Sequence, residues 1–383
     1  MNKTTSSSII YLFSLFFALS FLSCESKQVK EINIGYIGPL SVRATDLGID
    51  PSNAMQMAVD EYNANRLESE PKVNLFIEDG KWNPENAVRA YNNLRDTHKI
   101  NVLFVSNTDA TVSVQDLILQ DHVILVNPLN NDELLSSLNK NTFKIAKSTE
   151  QANGLIAGRI KELGLKKVAL FQYPNDYMTR ASNEVKNRLD SYEIASKTIP
   201  IAVDQTSFTE HLTQLKAEQY DAYAFFGYKE LGFAMKEARD LDITAPFFGS
   251  TVLLDPAFYK NSEGAIQGTE FPFFTPTDGN YILAHEFLTR FENTFSKKPA
   301  SYWPTMQAYD AMNLILSKVK TINAKKDKDT AFDDWLREAL YSVNYYQGIC
   351  GNIAINKNGA SKGIYFSLYQ YGTQDDPVVK TKR

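Results

Sequence analysis

Residues 32–64 read INIGYIGPLSVRATDLGIDPSNAMQMAVDEYNA, and this stretch decides the fold class. It opens with an apolar, largely β-branched run, Ile32–Ile37, which predicts a strand. After a loop, Asp50 and Pro51 predict the start of a helix over Pro51–Asn65, because an acid at the N-cap and a proline at the first helical position both favour a helix start. A strand followed by a helix is the repeating unit of α/β proteins with a mostly parallel sheet.

The same alternation continues along the chain in two series. The first series has further strands and helices at Val73–Ile77, Pro84–Asp96, Asn101–Val105, Thr111–Gln120 and Val123–Val126. The second has them at 148–163, Val168–Phe171, Tyr177–Leu189, 207–218, Ala222–Phe226, Glu230–Leu241 and Pro246–Phe248. Capping-box patterns at Ser148 and Ser207 predict the starts of two of these helices.

The last hundred residues break the alternation. They contain two consecutive helices and then two late strands, at Met306–Val319, Phe332–Val343, Gly351–Ile355 and Tyr365–Gln370. Two helices in a row indicate that the chain returns to its first unit, and multiple crossings between two units form a hinge. We therefore predict two doubly wound α/β lobes, with residues 32–146 and 274–345 in lobe one and residues 147–273 and 346–383 in lobe two.

The N-terminus is typical of a bacterial lipoprotein signal. Lys3 precedes an apolar run, Ile9–Leu22, that is shorter than the ~20 residues of a membrane-spanning helix. The run ends in Phe-Leu-Ser-Cys24, which resembles a lipobox, so we predict cleavage after residue 23, lipidation of Cys24 and a tether over 24–31. The alternative is an ordinary signal peptide with a nearby cysteine. The lipoprotein prediction places the protein in the bacterial cell envelope, lipid-anchored and facing the periplasm or the exterior.

Composition narrows the function. A formal net charge of −5 without a basic cluster excludes nucleic acid as a partner. Cys350 is the only cysteine besides Cys24, so no disulfide is expected. The sequence contains none of the GxGxxG, GxxxxGK[ST], GxSxG or HExxH motifs, and its four histidines are scattered. We therefore predict no enzyme activity, no metal and no cofactor.

Several collinear segments resemble the leucine/isoleucine/valine-type periplasmic binding proteins. The resemblance covers nearly the whole chain after the tether, and it is carried by Ile34–Leu40, Ala58–Ala64, Phe226–Tyr228, Phe287–Pro299, Ala308–Ala311, Gln347-Gly348 and Asn358-Gly359. It implies a type I periplasmic binding fold with three crossings, a small-molecule ligand bound between the lobes, and an ABC transporter permease as partner.

The resemblance also implies which loops bind the ligand, and these loops follow the carboxyl ends of strands, where ligands lie in open α/β sheets. It assigns a hydroxyl donor to Thr108 and a polar contact to Asn130 or Asn131. It assigns lobe-two aromatic contacts to Tyr177 and Tyr228. Trp82 and Arg43 are further candidates. Helix capping is the alternative role for Thr108, and a solvated loop charge is the alternative for Arg43.

Thr251 departs from the family pattern. It stands where the resemblance places the acid that pairs with a ligand's ammonium group. A threonine cannot neutralise a buried cation, so an ordinary branched-chain amino acid is a doubtful ligand. Two alternative functions stay open at this point: a sensory or scaffold lipoprotein of the same fold, and an enzyme on a doubly wound fold.

Overall fold

The structure is a computed structural model that describes residues 28–42, 44–129, 135, 138–146, 148–274, 278–327, 329–364 and 366–380. It has two open sheets with helices on their faces, as the alternation of strands and helices predicted. Within these residues, no helix is both long and apolar enough to span a bilayer.

The first sheet is fully parallel and has the strand order β2-β1-β3-β4-β5. Its strands are β1 Glu31–Gly38, β2 Lys72–Asp79, β3 Val102–Val105, β4 Ile124–Asn127 and β5 Thr142–Lys144. The intervening helices are α1 Ile49–Asn65, α2 Pro84–His98 and α3 Thr108–Gln120. Strand side chains alternate between two cores: Ile34, Tyr36 and Phe104 join α1, whereas Ile37 and Leu103 join α2 and α3.

The second sheet has the order β15-β14-β10-β9-β8-β6-β7, with β14 and β15 antiparallel. Its strands are β6 Lys167–Gln172, β7 Ala195–Pro200, β8 Ala222–Phe226, β9 Phe247–Gly249, β10 Glu270–Phe274, β14 Phe366–Tyr371 and β15 Val378–Lys380. Its helices are α4 Thr149–Glu162, α5 Asp176–Ser191, α6 Thr209–Ala217, α7 Glu230–Asp240 and α8 Pro256–Ser262.

The chain then returns to the first sheet. Four helices follow β10: α9 Asp278–Phe295, α10 Tyr302–Val319, α11 Ile322–Lys325 and α12 Phe332–Tyr341. A small third sheet of β11 Tyr346–Gln347, β12 Asn352–Ile355 and β13 Ser361–Lys362 precedes β14. Phe287, Leu314 and Leu336 lie in the core that covers β1, so the helices that contain them pack with the first sheet.

The lobe boundaries remain a prediction, and side-chain packing favours a different position for one of them. Ile349, Ile353 and Ile364 pack in the first core together with Ile34. This packing favours a third crossing after residue 364, rather than the crossing after residue 345 that the sequence suggested.

Two predicted N-cap signals were wrong. α1 begins at Ile49, and the Asp50 carboxylate instead accepts hydrogen bonds from Lys297 Nζ (2.6 Å) and the Ala300 amide (2.7 Å). The Ser207 capping box does not form either. α6 begins at Thr209 without a side-chain cap, because Glu237 of α7 accepts from the Phe208 amide at 2.8 Å. In both cases a tertiary partner replaces the local cap.

The end of β5, which leads into the first crossing, is hydrogen bonded to residues 359–361, which lead towards the third crossing. The Lys144 amide donates to the Gly359 carbonyl at 2.8 Å, and Ser361 Oγ donates to the Ala146 carbonyl at 2.6 Å. Gly359 has a φ of 70°, and a Cβ there would lie 2.7 Å from the Thr142 carbonyl oxygen, so glycine is required. The segments that lead into the first and third crossings are therefore held together in the first unit.

A buried carboxylate fastens α10 to the small third sheet. Asp310 is 2% exposed and accepts from the Ile349 and Cys350 amides, both at 2.8 Å. Burial raises the pKa of Asp310 to about 7, although these two amide hydrogen bonds oppose the shift. Gly348 leaves room for the Asp310 carboxylate, since a Cβ at residue 348 would lie 2.5 Å from Asp310 Oδ2.

We predict that Asp310 gives the protein a distinct pH dependence of stability. Its folded pKa lies above the unfolded value of ~3.9, so its stabilisation is complete below that value and is lost as the pH rises to about 7. The unfolding free energy of the wild type minus that of Asp310→Asn should fall by on the order of 4 kcal/mol between pH 4 and 8. Urea unfolding at several pH values measures this difference, and a constant difference would contradict the assignment.

Candidate functional site

The carboxyl ends of β1, β2 and β3 meet at one edge of the first sheet. A small pocket at this edge is lined by Gly38, Pro39, Gly80, Trp82, Asn107 and Ala110. Trp82 is half-buried, packs against the first core and has a φ of 53°, so its backbone adopts a conformation that side chains rarely tolerate. Such strain is common at ligand sites, and the pocket supports Trp82 as a cleft residue.

Asp79 holds the rim of this pocket together. Its carboxylate accepts from the Leu40 amide (2.9 Å), the Ser41 hydroxyl (2.5 Å) and the Lys81 amide (2.9 Å). Burial opposes ionisation, but the hydrogen bonds from Ser41 and the backbone keep the pKa of Asp79 below its usual range. One ionised side chain thus joins the loops that follow β1 and β2.

The N-terminus of α3 lies beside the same pocket. Asn107 is the N-cap and accepts from the Ala110 amide at 2.7 Å. Thr108 is the first helical residue and is 6% exposed. The structure therefore gives the capping role to Asn107, which the sequence analysis missed. The first-turn amides and the helix dipole make this terminus suitable for an anionic group.

In lobe two, three tyrosines gather at the carboxyl edge of the second sheet. Tyr173, Tyr177 and Tyr228 are partly buried and pack on one core together with Val252. The rings of Tyr173 and Tyr228 meet edge to face, with centroids 5.0 Å apart. The Tyr173 amide donates to the Phe226 carbonyl at 2.8 Å, which joins the loops after β6 and β8.

Asn175 links this tyrosine cluster (Tyr173, Tyr177 and Tyr228) to α5. Its Oδ1 accepts from the Met178 amide at 2.8 Å as the N-cap of α5, and its Nδ2 donates to the Tyr228 hydroxyl at 3.1 Å. The residue therefore sets both the helix start and the position of one aromatic wall. The sequence Asn175-Asp176-Tyr177 carried the N-cap signal, but nothing in it indicated the bond to Tyr228.

The loop after β9 starts a short 3-10 helix, Thr251–Leu254, for which Ser250 is the N-cap. The sequence did not single out a buried acid: Glu230, in the first turn of α7, is 7% exposed. Among the described residues, its Oε2 atom has no hydrogen-bond partner. This acid follows Tyr228 by two residues, at the same edge of the sheet.

The structure thus brings together the candidates of each lobe. Trp82 and the helix that Thr108 begins share one edge, and Tyr177 and Tyr228 share the other. Arg43, Asn130, Asn131 and Cys24 lie outside the described residues, as does the side chain of Thr251. Their assigned roles stay predictions. Within the described part of the chain, no cluster of three or more His, Cys, Asp or Glu side chains could hold a metal ion.

Comparison with known proteins gives consistent matches. Residues 31–371 match the model of a family described as periplasmic binding protein. The Leu/Ile/Val-binding protein BraC3 of Rhizobium johnstonii is 22% identical over 347 residues, which cover 89% of this chain and 92% of that protein.

Solved structures share the fold along nearly their whole length. A leucine binding protein of Thermotoga maritima superposes with a TM-score of 0.77 at 19% identity, covering 90% of this chain and 96% of that one. A solute binding protein of an ABC transporter from Rhodopseudomonas palustris, in complex with 3,4-dihydroxybenzoic acid, has a TM-score of 0.76 at 19% identity, covering 91% and 95%.

Two substitutions at Asn175 separate its two contacts. Asn175→Ala removes both and should lower the unfolding free energy by about 1 kcal/mol through the lost cap. Asn175→Asp keeps the cap oxygen, so stability should stay near that of the wild type, while the amide donor to Tyr228 is lost. Urea unfolding measures the stability of both variants. Equal stability of the two variants would argue against the capping role.

Proposed function

Because the chain belongs to the periplasmic binding protein family, we propose that it captures a small organic acid between its two lobes for an ABC transporter. The family resemblance and the type I fold predicted from the sequence are confirmed. The family consists of binding proteins and not enzymes, and membership implies an extracytoplasmic location. The ligand, the lipid anchor and the permease partner are the proposed elements.

The tyrosine cluster is the main observation that supports the proposed ligand class. Three tyrosines with an edge-to-face pair form an aromatic wall of the kind that packs against a ring or an apolar chain. On the facing lobe, the N-terminus of α3 offers backbone amides and the Thr108 hydroxyl, which suit a carboxylate. An aromatic carboxylate satisfies both sides, and the R. palustris neighbour with 3,4-dihydroxybenzoic acid supports this ligand class.

Thr251 supports a ligand without an ammonium group. A buried cation needs a counter-charge, and a threonine hydroxyl at that position cannot supply one. We therefore place the ligand among carboxylates that lack a free amine.

Glu230 favours a second ligand class. Its carboxylate is buried at the lobe-two edge, and one of its oxygens has no hydrogen-bond partner among the described residues. In a closed cleft it could supply the negative charge that Thr251 lacks, and an α-amino acid would then be accepted. Binding of amino acids that depends on Glu230 distinguishes this class from the first.

A lipid anchor on Cys24 would hold lobe one close to the membrane. Asn323, in α11, accepts from the Val29 amide (2.8 Å) and donates to the Val29 carbonyl (3.0 Å). The chain is thus fixed to the lobe only five residues after Cys24, a span of at most roughly 18 Å when extended. A tether this short supports capture of the ligand near the envelope surface. The alternative of a sensory or scaffold lipoprotein shares this anchor and differs in lacking a permease.

We predict that Cys24→Ala abolishes lipidation. Metabolic labelling with palmitate should mark the wild type and not the variant, because the acylated sulfur is gone. Cys350→Ala is the matched control and should label normally, since Cys350 is buried in the folded protein. Labelling that survives in Cys24→Ala would exclude the lipoprotein assignment.

Calorimetry tests the ligand class. We expect 4-hydroxybenzoate or a related aromatic carboxylate to bind in the micromolar range or tighter, and leucine with a Kd no tighter than roughly 100 μM. Tyr228→Ala should weaken aromatic acid binding about 10- to 100-fold, because a buried aromatic contact is lost.

Tyr345→Ala is the control for this experiment because the Tyr345 ring is 64% exposed. Sub-micromolar binding of leucine that is lost in Glu230→Gln would instead establish the amino-acid class. Addition of the true ligand should also reduce the radius of gyration measured by small-angle scattering, since closure is driven by a better fit to the closed state.

A further inference from the structure

Lys144 is a buried lysine at the carboxyl edge of the first sheet. It is the last residue of β5, and its register partner is Asn127, the last residue of β4. Both side chains are 0% exposed. A lysine is almost never fully buried in a globular protein, because desolvation disfavours its charged form. The edge of lobe one that faces the cleft therefore contains a cation below its surface.

The ammonium group lies on the side of the sheet that α3 covers. Thr142 and Lys144 alternate with Phe143, whose ring joins the opposite core with α1. The Lys144 Nζ atom donates to the Leu135 carbonyl at 3.3 Å. Burial lowers the pKa of Lys144 to about 8, so the charged form still predominates at neutral pH.

A chain of hydrogen bonds joins Asn127, the register partner of Lys144 at the end of β4, to the N-terminus of α3. Asn127 Nδ2 donates to Thr111 Oγ1 at 2.9 Å, and Thr111 Oγ1 donates to the Asn107 carbonyl at 2.7 Å. Asn107 in turn caps α3. The region between the lysine and the helix terminus is thus occupied by protein groups rather than by bulk water. Charges interact more strongly there because the effective dielectric constant of protein is lower than that of water.

We propose that Lys144 is a specificity-determining residue whose buried charge makes the N-terminus of α3 selective for an anionic group of the ligand. This inference rests on the proposed function, because it identifies the residue that would give the protein its preference for acidic ligands. The lysine charge and the helix dipole have the same sign at this terminus, so they add. Lys81, an exposed lysine at the same edge, is surrounded by water and contributes less.

An engineered thiol measures this potential without any ligand. Thr108→Cys places a cysteine at the first position of α3, and its pKa can be read from thiolate absorbance at 240 nm. Burial raises the pKa of Cys350 well above its usual value, so that thiol does not interfere. The thiol pKa should be at least about half a unit lower in Thr108→Cys than in Thr108→Cys/Lys144→Met.

Two further variants complete the test. Lys140→Met removes an exposed lysine from the turn before β5 and should leave the thiol pKa unchanged. Lys144→Gln retains a donor for the Leu135 carbonyl and should raise the thiol pKa as Lys144→Met does, which separates the charge from the hydrogen bond. Equal thiol pKa values with and without Lys144 would overturn the proposal.

Ligand binding provides the second arm. Benzoate and benzamide have the same shape and differ in charge, so Lys144→Met should weaken benzoate binding about tenfold or more and change benzamide binding far less. Equal loss for both ligands would overturn the charge role. If the wild type binds no aromatic carboxylate, the proposed ligand class fails. The thiol titration still decides whether the Lys144 charge acts on the N-terminus of α3.

Discussion

The first sheet cannot bury both of its faces with the helices that precede the second sheet. α2 and α3 cover one face, where Leu103 and Leu125 pack. α1 alone would have to cover the other face across five strands. The chain solves this by returning after the second sheet is built, and α10 then packs beside α1 over Phe104 and Val126. Most residues of α10 are buried, and the helix accordingly has apolar residues on nearly every side.

The return has a direct consequence for function. A chain that leaves lobe one, forms lobe two and returns must cross between the lobes twice. Because β14 and β15 belong to the second sheet, a third crossing is required. The hydrogen bonds between Lys144 and Gly359, and between Ala146 and Ser361, hold together the segments that lead into two of these crossings. The need to cover one sheet face thus produces the hinge, and the hinge allows two lobes to close on a ligand.

The two edges proposed to form the cleft differ in chemistry. The edge of the first sheet has a helix N-terminus, capped by Asn107, and a buried lysine, Lys144. Lobe two presents the tyrosine cluster, positioned by Asn175. Parallel strands bring each set to one edge because all their carboxyl ends lie there. A ligand with an acid at one end and a ring at the other would use both sides.

The sequence by itself determined the fold class and most element positions, and it indicated the loops that are proposed to form the site. Period-two and helical patterns and N-cap residues are local, so strands such as β1 and helices such as α2 were found within a few residues. Local signals failed where a distant partner decided the outcome. Asp50 looked like an N-cap but pairs with Lys297, and the capping box at Ser207 lost to Glu237.

Only the tertiary structure showed that Asn175 contacts Tyr228, that Glu230 is buried and that Lys144 is buried at the end of β5. No periodicity in the sequence distinguishes these residues from solvated polar side chains. Their burial depends on neighbours far apart in the chain, and burial is what gives an amide, a carboxylate or an ammonium group its energetic weight.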